Sequence, residues 1–323
     1  MIVNYPRMRR RAAWPNDLDT ALEFSSANPF SISAPKNWDG KLEYTNGSEW
    51  KTWDGSEITS GENGSDHCIY LRGTGNSKIT GIVFSFAKWH ISGTNIACNG
   101  DIDCLLDYST VKGGNRPAMA NNCYSSMFYG CTSLTTAPSL PATTLANYCY
   151  SSMFYGCTSL TAAPSLPATT LANSCYNSMF YGCTSLTTAP SLPATTLATN
   201  CYRYMFQNCT SLTTAPSLPA TTLANYCYSS MFYGCTSLTA APSLPATTLA
   251  NYCYSSMFYG CIKIKLSTTA SGTYTKSYRI PKSGTGTTAS SALNNMFANT
   301  GGTFKGTPEI NTTYYLDESN TIV

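Results

Sequence analysis

Charged side chains are scarce in this chain: Asp, Glu, Lys and Arg make up 11% of its 323 residues. Between Met119 and Ile262 the only charged residue is Arg203, so this long segment holds no carboxylate. Acid–base and nucleophilic catalysis need convergent titratable groups with an orienting partner, and nucleic-acid binding needs a basic stripe. The composition therefore predicts that the chain is neither an enzyme nor a nucleic-acid-binding protein.

Histidine is rare as well. The two histidines, His67 and His90, lie outside the charge-poor segment, in a region that also holds Cys68, Cys98 and Cys104. A structural zinc site takes four ligands, usually from closely spaced cysteine knuckles, and the spacing of these residues matches no such knuckle. We therefore predict no metal and no cofactor.

Long apolar runs are missing too. None approaches the roughly 18 residues that indicate a membrane-spanning helix, so no span is predicted. The N-terminus carries four arginines, Arg7, Arg9, Arg10 and Arg11, without the apolar stretch of a secretory signal after them. We interpret residues 1–35 as an irregular arm. Its arginines are either solvated surface groups or an anchor for an acidic partner surface.

Residues 36–115 have the pattern of a β-rich domain. Apolar and polar residues alternate in the short runs Lys41–Tyr44, Ile69–Arg72 and Ile79–Phe86. The pair Asn46-Gly47 is typical of a hairpin, because both residues tolerate positive φ. Trp38 and Trp53 each precede an Asp-Gly turn pair and are predicted to cap a small core. These signals favour a small antiparallel β-sandwich or barrel.

A repeat of 26 residues, CYSSMFYGCTSLTTAPSLPATTLANY, occupies most of residues 116–262 in six near-identical copies, of which the sixth breaks off after Cys261. The copies are marked by the pairs Met127-Phe128, Met153-Phe154, Met179-Phe180, Met205-Phe206, Met231-Phe232 and Met257-Phe258. A fixed period of this size is the signature of a repeat array, in which each unit buries its apolar face against its neighbours.

Within one copy, Cys123, Met127 and Cys131 are spaced four residues apart, which predicts a short helix with a broad apolar face. Gly130 would end that helix in a left-handed conformation, and the fourth copy has Asn208 at this place, the next most tolerant residue. The following SLTTAP is predicted to be a short strand, and the prolines keep the return leg extended.

The order Met-Phe, Gly-Cys and Thr-Ser-Leu at a spacing of 26 residues resembles the BspA-type leucine-rich repeats and the 26-residue repeats of bacterial surface proteins. The preceding WDG, LEY and YLRGTGN segments are similar to the β region before such repeats in bacterial and bacteriophage-encoded proteins. The resemblance covers about residues 36–310. It implies a right-handed solenoid, with a thin sheet on one side and short helices on the other, used for adhesion or recognition.

Residues 263–323 no longer follow the repeat sequence and are interpreted as a cap. IKIKL and SGTYTKSYRIP are predicted to form a hairpin. The segment around Met296-Phe297 is predicted to be a degenerate seventh copy of the repeat. The expected fold class is mixed β and α/β solenoid: a β-sandwich, the leucine-rich-repeat array, then a β-hairpin and helix cap.

Twelve of the fifteen cysteines fall at two fixed places in the repeat. In register they would form two ladders with a spacing of about 5 Å, which is within disulfide reach. The helical facing favours the other interpretation, that they are small apolar core residues with free thiols.

Tyrosine and the positions that vary between copies are the candidates for recognition, and the variable positions, which include Ser125 and Ser126, are predicted to be exposed. Tyr, Ser, Asn, Arg and Gln at these positions resemble the composition of antibody binding loops. The candidate ligand-binding residues are Tyr129, Tyr155, Tyr181, Tyr233, Tyr259, Tyr148, Tyr226, Tyr252, Arg203 and Tyr204. The first five are predicted to form a stacked row, which either binds a glycan or protein or is only ring packing without a ligand.

The favoured function is a non-enzymatic structural and adhesion protein of a bacteriophage virion, such as a head fibre, a decoration protein or a tail-associated protein. The N-terminal region would contact other virion proteins, and the repeats would bind a host-surface glycan or protein. A trimer is expected only by analogy with fibres. The alternative is a bacterial cell-surface leucine-rich-repeat adhesin.

Overall fold

The computed structural model describes residues 13–81 and 88–323. A 3-10 turn at Leu18–Thr20 precedes the first strand. The N-terminal strands are β1 (Leu22–Ser26), β2 (Ser31–Ser33), β3 (Lys41–Thr45), β4 (Lys51–Trp53), β5 (Ile58–Thr59), β6 (Gly61–Asn63), β7 (Asp66–Thr74), β8 (His90–Ser92) and β9 (Ile96–Asn99). A helix, α1 (Cys104–Lys112), follows them. The later strands are β10 (Leu134–Thr136), β11 (Ala240–Ala241), β12 (Leu266–Ser267), β13 (Tyr274–Arg279), β14 (Thr313–Asp317) and β15 (Thr321–Ile322).

Strand β1 lies in the middle of the main sheet, whose order is β10-β9-β1-β7-β3-β4, with β6 also paired to β7. It pairs antiparallel with β7 on one side and β9 on the other, and its Leu22 and Phe24 are fully buried. The prediction of irregular structure throughout residues 1–35 is therefore wrong for β1 and β2. The alternation of apolar and polar residues in LEFSS is too short to indicate a strand before its pairing partners are known. The arginines at 7, 9, 10 and 11 lie outside the described residues.

The predicted antiparallel pairing is present among the N-terminal strands. Strands β3 and β4 form the hairpin at Asn46-Gly47, and a second sheet has the order β5-β2-β8. Trp38 and Trp53 are buried and stack with ring centroids 5.4 Å apart, as expected of core residues beside turns. The sandwich arrangement stays a prediction, and the predicted strand Ile79–Phe86 lies largely outside the described residues.

Helix α1 was not expected, because its residues fall in the region assigned to strands. It packs against β7 and buries Cys104, Leu105 and Leu106. The backbone leaves helical geometry at Asp107 (φ −153°, ψ 102°). The Asp107 carboxylate accepts hydrogen bonds from the Thr110 amide (2.9 Å) and the Ser109 hydroxyl (2.6 Å), so it caps the second turn after the break.

The predicted helix of each copy is wrong. Residues 121–130 form successive turns in which Asn122, Ser126 and Gly130 have φ of 59°, 57° and 70°. Every second amide donates a hydrogen bond to the carbonyl three residues earlier in the same copy, as Met127 does to Tyr124 (3.2 Å). The other amides donate to carbonyls of the next copy. A left-handed residue every four positions reproduces the spacing of Cys123, Met127 and Cys131 without an α-helix. The left-handed conformation predicted for Gly130 and Asn208 is confirmed.

Neighbouring copies stack in register. The Tyr124 amide donates to the Cys149 carbonyl at 2.8 Å, Phe128 donates to Met153 at 2.9 Å, and the same bonds recur 26 residues later. The Phe128 and Phe154 rings stack with centroids 5.5 Å apart. The fully buried cysteines, tyrosines, methionines and phenylalanines of these turns form one core that is continuous with the N-terminal strands.

The array is joined directly to the residues before it. Strand β10 of the first copy pairs parallel with β9, and the amides of Ile79 and Trp89 donate to Cys123 (2.9 Å) and Met127 (2.8 Å). The N-terminal region therefore covers the first copy and satisfies its exposed backbone groups.

The C-terminal cap differs from the predicted hairpin. Strands β12 and β13 do not pair with each other, because β14 lies between them in the order β12-β14-β13. Tyr314 and Leu316 of β14 are buried, and β15 pairs parallel with β11 of the array. The predicted seventh copy is confirmed by the Phe258–Phe297 ring stack at 5.4 Å, although its turns, like the others, are not helical.

Candidate functional site

The predicted row of tyrosines is present on the turn side of the array. Tyr129, Tyr155 and Tyr181 stack with centroids 4.5 and 4.4 Å apart, and Tyr233 and Tyr259 stack at 4.5 Å. Their planes are within 6° of parallel, and all five side chains are partly buried. Identical residues in successive copies meet in this way because the hydrogen bonds fix the register.

This geometry decides what the row can offer to a ligand. The two faces of a central ring such as Tyr155 are covered by its neighbours, so a sugar cannot stack on them. Only ring edges and hydroxyls face outward. Burial, with the adjacent phenols of Tyr181 and Tyr129, raises the pKa of Tyr155 to about 12, so its hydroxyl remains a hydrogen-bond donor at neutral pH.

A second column of variable residues precedes the first cysteine of each copy. All six of its residues have left-handed backbone, with φ between 56° and 59°. This conformation is uncommon for a bulky residue, yet three of the six are the candidates Tyr148, Tyr226 and Tyr252. Tyr226 and Tyr252 stack at 4.6 Å, whereas Tyr148 is 39% exposed and lies between copies that have Asn122 and Ser174 there.

The fourth copy interrupts both columns. Gln207 replaces the tyrosine between Tyr181 and Tyr233, which splits the stacked row into segments of three and two rings. In the same turn, the Asn208 amide donates to the Tyr181 hydroxyl at 3.4 Å. Asn200 leaves the second column without a ring at this copy.

Arg203 and Tyr204 of the fourth copy form a cluster with Tyr226 of the next copy. The Arg203 guanidinium carbon lies 4.5 Å from the Tyr204 ring centroid and 4.8 Å from that of Tyr226. Its Nη2 donates to the Tyr204 hydroxyl at 2.6 Å. Cation–π contacts at these distances hold the guanidinium between the two rings.

The candidate residues therefore lie in three groups: the stacked row, the Arg203 cluster with Tyr252 behind it, and the isolated Tyr148. Whether any group binds a ligand stays a prediction. The sequence placed the variable Ser125 and Ser126 on the surface, but both are fully buried. The equivalent residues of the fourth copy, Arg203 and Tyr204, are only partly buried. The full burial of Ser125 and Ser126 is therefore specific to the first copy, which the N-terminal region covers, and the repeat pattern alone does not reveal it.

The thiols are not reactive groups. All fifteen cysteines are free and buried. Desolvation raises the pKa of every array thiol, to about 12 for Cys131, Cys175, Cys183, Cys235 and Cys253, so they stay protonated at neutral pH. The Cys157 Sγ lies 3.1 Å from the Phe128 carbonyl of the preceding copy, and this weak hydrogen bond recurs along the ladder.

One acidic residue outside the array has a perturbed environment. Asp103 is 1% exposed, and burial, with the neighbouring Asp101 carboxylate, raises its pKa to about 6. Its Oδ1 accepts a hydrogen bond from the Tyr124 hydroxyl at 3.1 Å, and its Oδ2 lies 3.6 Å from Arg116 Nη1. These contacts lie where α1 meets the first copy, so we interpret Asp103 as part of that junction.

A cavity of about 540 Å³ lies at the C-terminal end, between residues 288–294 and 307–310, and its one titratable side chain is Glu309. This cavity therefore lacks an acid–base pair. Within residues 13–81 and 88–323, no three His, Cys, Asp or Glu side chains come together in a way that could hold a metal ion. In the same ranges, no helix is long and apolar enough to cross a membrane.

Comparisons with known proteins support the repeat assignment. Neither the curated proteins nor the solved structures gave a match to the chain. The family comparison did, and it covers the stacked tyrosines except Tyr129, together with the Arg203 cluster. Residues 151–280 match the BspA type leucine rich repeat region, in six copies.

Proposed function

We propose that the repeat array is a non-enzymatic recognition surface that attaches the protein to a host or environmental surface. The observation that carries this proposal is the register of the copies, which lines up partly exposed tyrosines at about 4.5 Å over a segment with a single charge. Stacked repeats of this kind build extended binding surfaces. A right-handed solenoid shape, as in the resembled repeats, is part of the proposal.

The chemistry of the surface suits a glycan or a polar protein face. Rows of exposed threonines run along the copies, for example Thr158, Thr184 and Thr210. Their hydroxyls, together with the tyrosine edges, can hydrogen-bond to sugar hydroxyls in many equivalent places. Since each contact is weak, binding would depend on several copies engaging the same surface at once.

We further propose that the protein is a bacteriophage virion component, such as a head fibre, a decoration protein or a tail-associated protein, located on the particle surface. Fifteen free thiols suit assembly in a reducing cytosol. The N-terminal region would contact other virion proteins, with Arg7, Arg9, Arg10 and Arg11 as anchor, and trimerisation belongs to the same proposal. The alternative is a bacterial cell-surface adhesin, which the match to BspA type repeats favours equally.

Binding of the purified full chain to host cells tests the recognition surface. A variant with Tyr155→Ser, Tyr181→Ser and Tyr233→Ser should lose binding, because the ring edges and hydroxyls of the row are removed. A matched variant with Thr158→Ser, Thr184→Ser and Thr210→Ser keeps a hydroxyl in each of three copies and should bind as before. Unchanged binding by the tyrosine variant would reject the row as the contact surface.

Mass spectrometry of purified phage particles and of washed bacterial envelopes separates the two locations. The virion proposal expects the protein in particles at a fixed ratio to the major capsid protein. Detection in envelopes alone would reject the virion role and support the adhesin.

A further inference from the structure

Arg203 carries a charge that no ion pair neutralises among the residues that the structure describes. It is the single charged side chain between Met119 and Ile262, and among residues 13–81 and 88–323 no carboxylate forms an ion pair with it. Every other copy has Ser or Asn at this position: Ser125, Ser151, Asn177, Ser229 and Ser255. Holding an isolated cation in a partly buried position costs solvation free energy. The stacking of the copies does not require a charge here, so the presence of Arg203 in one copy needs another explanation.

The surrounding residues hold the guanidinium in one orientation. Tyr204 and Tyr226 lie 4.5 and 4.8 Å from it, and Tyr252 supports Tyr226 from behind at 4.6 Å. Asn200 places no ring in this column at the fourth copy, so no ring of that copy competes for this face of Tyr226. Tyr204 has φ of 59°, and the serines at the same place in the other copies, such as Ser178 and Ser230, share this conformation. The repeat therefore fixes the backbone from which the Tyr204 ring reaches the guanidinium.

Two polar atoms of the cluster lack a partner. Arg203 Nε and Asn200 Oδ1 are buried and make no hydrogen bond to any described part of the chain, although the backbone amide of Arg203 donates to the Asn200 carbonyl at 3.3 Å. The guanidinium uses one N–H, from Nη2, in its bond to Tyr204. Because Nε is buried, the donors that remain for a ligand are the two N–H groups of Nη1 and the second N–H of Nη2. These lie side by side in the planar arrangement that matches a carboxylate.

We propose that the cluster of Arg203, Tyr204, Tyr226 and Asn200 binds the carboxylate of an acidic polysaccharide, such as a uronic or sialic acid residue. The inference rests on the proposed recognition function and assigns its ligand class. The guanidinium pairs with the carboxylate, and the hydroxyls of neighbouring copies bind the neutral parts of the polymer.

A single cation on an uncharged surface favours a glycan over an acidic protein. An acidic protein face presents several carboxylates close together and is usually matched by several basic residues, whereas the array offers one. A polysaccharide with spaced carboxylates among neutral hydroxyls matches one arginine set among Tyr, Ser, Asn and Thr side chains.

The test uses the full chain and a panel of immobilised polymers: polygalacturonate, alginate, hyaluronan and polysialic acid. Each is paired with the same polymer after reduction of its carboxylates to alcohols, and poly-glutamate represents acidic protein. We expect at least one acidic glycan to bind about tenfold more tightly than its reduced form, which corresponds to ~1.4 kcal/mol. That preference should weaken as salt is raised.

Three variants assign the effect to the cluster. Arg203→Ser restores the residue found in four other copies, so the fold should persist, and the preference for carboxylate should disappear. Arg203→Lys keeps the charge but not the planar fork and should lose most of the preference. Lys305→Ser removes one exposed positive charge from the cap and should retain it.

The outcomes separate this inference from the proposed function. Equal binding to acidic and reduced polymers across the panel, or a preference that survives Arg203→Ser, would overturn the carboxylate site while leaving the recognition surface standing. A preference for poly-glutamate alone would overturn the glycan assignment in favour of an acidic protein. If the wild-type chain binds neither host cells nor any polymer, the recognition function itself fails and the inference fails with it.

Discussion

Raising the pH from 7.5 to 9.5 should unfold the repeat array. The twelve thiols of the two ladders are buried, and desolvation raises the pKa of each well above its ordinary value in the folded state. In the unfolded chain a cysteine titrates near pH ~8.5. The folded state therefore keeps protons that the unfolded state releases, so stability is present below about pH 8.5 and is lost as the pH rises.

The size of the effect follows from the number of thiols. Between pH 7.5 and 9.5, each thiol with an unfolded pKa of about 8.5 contributes a loss of ~1.4 kcal/mol in the free energy of unfolding. For twelve equivalent thiols the loss is about 16 kcal/mol, which is as large as the whole stability of a typical domain, about 5–15 kcal/mol. The array is therefore expected to unfold within this pH window.

Urea unfolding followed by far-ultraviolet circular dichroism at pH 7.5, 8.5 and 9.5, under reducing conditions, measures this loss. A variant in which Cys131, Cys157, Cys183, Cys209, Cys235 and Cys261 are all replaced by Ala removes one ladder and should halve the pH dependence. A midpoint that does not move with pH, or a dependence unchanged in the alanine variant, would refute burial of protonated thiols as the cause.

Three further predictions concern single side chains. Phe180→Ala removes a fully buried ring from the stacked core and should cost ~3–5 kcal/mol in urea unfolding. Gly182 has φ of 69°, so Gly182→Ala should cost ~1–2 kcal/mol, and Gly182→Asn should cost less because Asn208 adopts this conformation in the fourth copy. Asp103 has its pKa raised to about 6 by burial; since the folded value exceeds the unfolded one, stability should fall by up to ~3 kcal/mol from pH 4 to 7, and Asp103→Asn should remove that dependence in thermal unfolding.

The period of the repeat predicted which side chains meet, because near-identical copies in register bring the same residue together again and again. Phe128 stacks on Phe154, and Tyr129 stacks on Tyr155. Phe297 of the degenerate seventh copy stacks on Phe258 and so extends the stack of phenylalanines. The backbone between these contacts was not predictable in the same way. A spacing of four apolar positions is shared by an α-helix and by successive turns with a left-handed residue every four positions.

Non-local pairing accounts for the other differences. Strand β14 enters between β12 and β13 from more than thirty residues further along the chain, and nothing in IKIKL or TYTKSYR indicates a partner so distant. Strand β1 is similar, since LEFSS acquires its central place only through β7 and β9. The Arg203 cluster could be suspected from the variation in the fourth copy, but its contact with Tyr226 depends on the stacking of neighbouring copies.

A perfectly regular array limits its own selectivity. Where every copy is the same, the faces of each ring are covered by the rings before and after it, and a ligand finds the same edges and hydroxyls in every copy. Such a surface can add many weak contacts together, but it cannot distinguish one position along the array from the next. Selectivity has to come from a break in the repeat. In the fourth copy, Gln207 and Asn200 leave the two tyrosine columns without a ring, and Arg203, held against Tyr204, carries the array's single charge. Under the proposed recognition function, the number of regular copies sets the strength of attachment, and the irregular fourth copy determines what is attached.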